Sequence, residues 1–147
     1  MWPEPTDFVW KDPVTAPETW DRPGLVMFFN LECPGCVSRG VPFLKRLAKT
    51  YEGKLTVVMI HTSFGHKFYT RDEVVPTLTH FAKSFAKIPF PLALDLDAQL
   101  AEAWQVLGTP HWLIFAGGGE LLRSIFGSQD NAQTRLEYTL AELLESP

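Results

Sequence analysis

The sequence predicts an α/β fold, and three observations carry that reading. An apolar run, Leu25-Val26-Met27-Phe28-Phe29-Asn30-Leu31, ends at Cys33-Pro34-Gly35-Cys36. Apolar residues at three- and four-residue steps come next, and then a second apolar run, Leu55-Thr56-Val57-Val58-Met59-Ile60. Strand, helix and strand in so short a span make a parallel βαβ unit with a right-handed crossover. One domain over residues 1–147 is expected, long enough to bury a core.

Residues 1–24 form an arm with Pro3, Pro5, Pro13, Pro17 and Pro23, and Phe8-Val9-Trp10 is its one strand candidate. Trp2, Phe8, Trp10 and Trp20 offer large surfaces to bury, so the arm reads as ordered. Asp21-Arg22-Pro23-Gly24 is a turn into the strand at 25–31. That strand is apolar on both faces, as in a sheet covered on both sides. Beyond Cys36, the residues Val41, Leu44, Leu47, Ala48 and Tyr51 mark a helix. Pro42 should kink or split it, and Gly53 ends it.

Residues 61–71 read as a polar loop bearing aromatics. Thr70-Arg71-Asp72-Glu73 has capping-box spacing and opens a helix to about Lys87, stopped by Pro89 and Pro91. Leu92-Ala93-Leu94 is a short strand, and Asp95 or Asp97 caps a helix through Ala101 and Trp104. Gly108-Thr109-Pro110 leads into the strand His111-Trp112-Leu113-Ile114-Phe115. Gly117-Gly118-Gly119 turns it back into Leu121-Leu122-Arg123-Ser124-Ile125-Phe126, a hairpin by spacing. A last helix spans about 130–144, with Leu136, Leu140, Leu143 and Leu144 on one face.

A net charge of -4 argues against nucleic acid as a partner, since phosphate binding needs concentrated Lys and Arg. No apolar stretch approaches the ~18–20 residues that cross a bilayer. Two cysteines as a close pair are too few for a secreted disulfide scaffold. Met1-Trp2-Pro3-Glu4-Pro5-Thr6-Asp7 has neither a basic nor an apolar leader region, so a cytoplasmic chain is expected, or an extracytoplasmic one if the start was trimmed.

The order strand–Cys33-Pro34-Gly35-Cys36–helix, crossover strand, Gly108-Thr109-Pro110, hairpin and closing helix resembles the thioredoxin superfamily, over about residues 25–144. More narrowly it is similar to the TlpA-like thiol-disulfide oxidoreductases. The resemblance implies a three-layer α/β/α fold around a central mixed sheet. A helix-plus-strand insertion at 61–105 would separate its βαβ and ββα halves. It implies that Cys33 attacks a substrate disulfide and Cys36 resolves the mixed disulfide, with a redox-active disulfide forming between them. It further implies that Pro110 is cis and packs beside the thiols, while the Thr109 backbone binds a substrate chain as a short added strand. Disulfide-containing proteins and a thiol electron donor are the partners so implied, with no organic cofactor, no metal and a monomeric chain. Three departures stand out. The buried Asp and its Lys partner of thioredoxins proper fall on Met27 and Met59, the aromatic residue before the first cysteine is Glu32, and the helix proline arrives one residue late at Pro42.

Placement at a helix N-terminus favours a thiolate at Cys33, where unpaired N–H groups and the helix dipole meet it. Pro34 suits an early helix position and Gly35 leaves little bulk over the sulfurs. Glu32 opposes the thiolate by its charge, relays a proton to Cys36, or simply faces solvent. His111 is a possible tuning residue, with a packed histidine at the sheet end as the plain alternative. His61 reads as a hydrogen-bonded loop histidine, and His66 and His80 as surface residues. Phe64, Phe68 and Tyr69 form a candidate docking surface, Trp112, Phe115 and Phe126 core, and Lys45, Arg46 and Lys49 a solvated helix face. Two rival functions use the same residues. One is a peroxiredoxin-like peroxidase, disfavoured by Asn30 where that family has Thr; the other is a copper or zinc carrier on Cys33, Cys36 and His111.

Overall fold

Six strands make one mixed sheet in the order β1-β4-β3-β2-β5-β6, in a computed structural model that describes residues 1–145. The strands are β1 Phe8–Trp10, β2 Gly24–Phe29, β3 Thr56–Thr62, β4 Leu92–Asp95, β5 His111–Phe115 and β6 Leu121–Phe126. Strands β2, β3 and β4 run parallel, whereas β5 and β6 add antiparallel on one side and β1 antiparallel on the other. Central β2 is buried at every position, as its two-sided apolar sequence requires.

The alternation of the strands sorts the core into two halves. Leu25, Met27, Phe29, Val57, Met59, Trp112 and Ile114 face one side, beneath α1 (Val41–Thr50), α2 (Arg71–His80) and α4 (Asp130–Leu144). Val26, Phe28, Val58, Ile60, Leu113 and Phe115 face the other, beneath the short α3 (Gln99–Ala103) and the N-terminal arm. The arm does the work of a missing helix there. Trp20 and Trp104 each meet Phe115 edge to face at 5.6 and 5.3 Å, and Trp2 meets Trp20 in the same way. Met27 and Met59 are register partners and fully buried, so two thioethers occupy the ladder position where a charged pair was absent from the sequence.

The interruption expected at Pro42 takes the form of a π-helical turn, Cys36–Gly40, ahead of α1. Pro42 has no N–H to give Ser38, so the wider turn runs into the proline and absorbs the extra residue before it. The helix expected from 71 to about 87 also divides: α2 ends at His80 and a second π-helical turn, Phe81–Phe85, follows. Strand β3 continues through His61 and Thr62, which shortens the expected loop. Asp95 secures α3, its carboxylate accepting from Leu100 N, Ala101 N and Thr62 Oγ1 at 3.0, 3.0 and 2.8 Å.

Candidate active site

Both cysteines are free thiols where β2 gives way to the helical segment leading into α1. They are unlike. Cys33 keeps 7% of its surface exposed, and Cys36 none. The Cys36 backbone N–H donates to Cys33 Sγ at 3.2 Å, a donor held against the sulfur that would carry charge. The Cys33 thiol in turn donates to the Thr109 carbonyl at 3.5 Å. Burial raises the Cys36 pKa, and the neighbouring Cys33 sulfur raises it further, against hydrogen bonds from the Asn30 backbone and Thr109. Cys36 is therefore protonated at neutral pH.

The turn before α4 closes the other side. A Cβ on Gly35 would come within 2.7 Å of Ser128 Oγ, so glycine permits that approach. Arg39 then holds the same segment, donating to the Ser128 carbonyl at 2.9 Å and to Asp130 Oδ1 at 2.8 Å. The Thr109–Pro110 peptide is cis, and Pro110 is buried. Pro34 is exposed.

Other candidate residues fall in two groups. Glu32 is exposed, its Oε2 accepting from the Tyr69 hydroxyl at 2.9 Å. His61 lies on the dithiol side of the sheet, against Phe29, with Nε2 accepting from Leu31 N at 3.2 Å. Burial lowers its pKa to about 4, helped by His66, so it is neutral. His111 is turned the other way. Its register partner Phe28 and its neighbours Leu113 and Phe115 belong to the opposite half of the core. Its Nδ1 accepts from Leu107 N at 3.3 Å and its Nε2 meets Ser124 Oγ at 2.7 Å. Burial lowers its pKa to about 4. Of the two readings of His111, this placement fits the packed histidine rather than the tuning residue: strand alternation points it away from the thiols, and both ring nitrogens are engaged. Among the described residues no group of three His, Cys, Asp or Glu is arranged to hold a metal. Asn30 spends its side chain on the Thr62 carbonyl and Glu32 N, each at 2.8 Å.

His66, read from sequence as a surface residue, is half-buried and meets Thr109 Oγ1 at 2.7 Å. With Tyr69 on Glu32, the loop between β3 and α2 is thus tied to both flanks of the dithiol. Nothing local marks His66, because the contact spans 43 positions and depends on how the loop folds back. A cavity of about 540 Å³, lined by Lys45, Leu55 and Phe90 among others, includes none of Cys33, Cys36, Thr109 and Pro110.

No protein-family model matches the chain, and no curated protein matches its sequence. Solved structures do. A thiol-disulfide isomerase from Corynebacterium glutamicum superposes with a TM-score of 0.81 at 23% identity, covering 100% of this chain and 96% of its own. A thioredoxin-like superfamily protein gives 0.77 at 25% identity, with 95% and 91% covered. A protein assigned as the thiol:disulfide interchange protein DsbE of Chlorobium tepidum gives 0.69 at 18%, with 86% and 82% covered. The architecture is the thioredoxin fold.

Proposed function

We propose that this thioredoxin-fold protein is a thiol-disulfide oxidoreductase of the TlpA-like kind, acting on protein disulfides. The observation that carries the reading is the asymmetry of the two sulfurs: Cys33 keeps 7% of its surface exposed, with a donor against it and the Thr109 carbonyl beside it, while Cys36 is sealed and protonated. Its likeness to a thiol-disulfide isomerase and to a thiol:disulfide interchange protein supports it.

The Cys33 thiolate attacks one sulfur of a substrate disulfide. A Cys33–substrate S–S bond forms, the substrate S–S bond breaks, and the second substrate sulfur leaves as a thiolate. Cys36 gives up its proton and attacks Cys33 Sγ, so the mixed disulfide breaks and the first substrate sulfur leaves. The protein pair is oxidised by two electrons to a disulfide, and the substrate gains those electrons and two protons as a dithiol. A thiol donor then restores Cys33 and Cys36. Where cellular thiols are kept reduced, the net direction is reduction. Thr109 presents its backbone to the substrate chain as an added strand, and His66 positions it.

Turnover tests this. With dithiothreitol as electron donor, the protein should accelerate reduction of a small cystine-containing protein, and Cys33→Ser should abolish the acceleration. Equal rates for the native chain and Cys33→Ser would remove the proposal.

A further inference from the structure

Beside the dithiol lies a cavity of about 210 Å³, lined by Leu31, Glu32, His61, Tyr69, Glu73 and Val74 together with the polar Asn30 and Thr77. Its place is fixed by the chain, since Leu31 and Glu32 immediately precede Cys33 and their Cα atoms follow at ~3.8 Å steps. A side chain fits such a volume; a second folded element does not. Its wall is aliphatic at Leu31 and Val74, and its rim holds two exposed carboxylates, Glu32 and Glu73. Neutral His61 adds no positive charge to oppose a cation.

We infer that this cavity receives a lysine or arginine side chain of the substrate protein, close to the disulfide under attack. The inference rests on the oxidoreductase reading and names the substrate class that reading leaves open: disulfides flanked by basic residues. A long aliphatic stem against Leu31 and Val74 with a cationic head between two carboxylates is the arrangement basic side chains favour.

Two further observations select a cation over an anion. The N-cap and third-position donors at the start of α2 are already taken, because Thr70 Oγ1 accepts from Glu73 N and Glu73 Oε1 accepts from Thr70 N. Those same bonds, from the Thr70 backbone first, lower the Glu73 pKa and keep it anionic. Second, the rim already attracts a cation of this chain. Lys67 Nζ sits 5.0 Å from the centroid of the Tyr69 ring, and its charge contributes to the lowered pKa of Glu73. Lys67 belongs to the exposed loop and is free to swing out when a substrate cation arrives.

The experiment uses three synthetic peptides, each closed by one disulfide and differing only in a flanking lysine, norleucine or glutamate. The reduced protein is mixed with each, and the second-order rate of disulfide exchange is followed by acid quench. The lysine peptide should react roughly three- to tenfold faster than the glutamate peptide at low salt, as two rim ion pairs allow. In Glu32→Gln/Glu73→Gln, which keeps both hydrogen-bond acceptors, that ratio should fall to about one, and in Lys67→Met it should grow. Equal rates for the lysine and glutamate peptides, a norleucine peptide fastest of all, or a ratio untouched by the double substitution overturns the pocket while leaving the redox chemistry standing. No exchange with any peptide overturns the oxidoreductase reading, and this inference with it.

Discussion

At the scale of single residues, two like side chains three positions apart are made unlike by their surroundings. Cys36 is fully buried and held protonated, while Cys33 reaches solvent. Reduced protein treated briefly with iodoacetamide at pH 7 should therefore be modified at Cys33 and spared at Cys36, read by peptide mass. Equal modification contradicts the asymmetry. His66 belongs to the same scale. Its 2.7 Å contact with Thr109 Oγ1 orients the residue whose carbonyl faces Cys33. His66→Ala should raise KM for a protein disulfide about threefold or more with little change in kcat, and His66→Gln should recover part of the loss. A fall in kcat at constant KM would place His66 in the chemistry instead.

Among the elements, the ends and junctions repay attention. The box Thr70/Glu73 was legible because both partners lie within one turn, and both reciprocal bonds form. Alternation in β5 is equally plain: His111 shares the parity of Leu113 and Phe115 rather than that of Trp112, so of its two readings the register favours the packed histidine at the sheet end. The start of α3 was only half legible. Asp95 does cap it, but from five and six residues upstream, with Ala98 in the left-handed region at φ 64 between them. Such a cap depends on a buried carboxylate reaching back from a strand end, which no local spacing announces. Asp95→Ala strands three donors in a buried place. It should cost about 2–4 kcal/mol, read as a lowered urea midpoint at unchanged m. An unaltered midpoint would show that water replaces the carboxylate there.

For the molecule as a whole, the strands, the parallel β2–β3 unit and the β5–β6 hairpin followed from apolar runs and punctuation, because periodicity reports burial directly, whereas the order of the strands in the sheet did not. What periodicity does not report is which separate segments meet. The arm's tryptophans covering Phe115, and the loop folding back to Thr109, are tertiary outcomes of this kind. Burial of two histidines adds a global consequence. Both titrate near 4 in the folded chain against an ordinary 6.5, so between those values the unfolded chain binds the extra protons. Stability should be constant from pH 6.5 up toward 9.0, where the buried Cys36 thiol begins to favour the unfolded chain, and should fall by about 3 kcal/mol per histidine as pH drops from 6.5 to 4. Denaturant titrations across that range check it; a flat profile would mean that one or both rings are charged in place.

The account turns on which sulfur attacks, and trapping answers that most directly. Reduced Cys36→Ser protein mixed with a cystine peptide should accumulate a stable adduct of one peptide on Cys33, identified by mass spectrometry of the cleaved chain. The native protein should pass through it without accumulation, and Cys33→Ser should form none. An adduct on Cys36 in the Cys33→Ser protein, with none on Cys33 in its counterpart, would contradict the account.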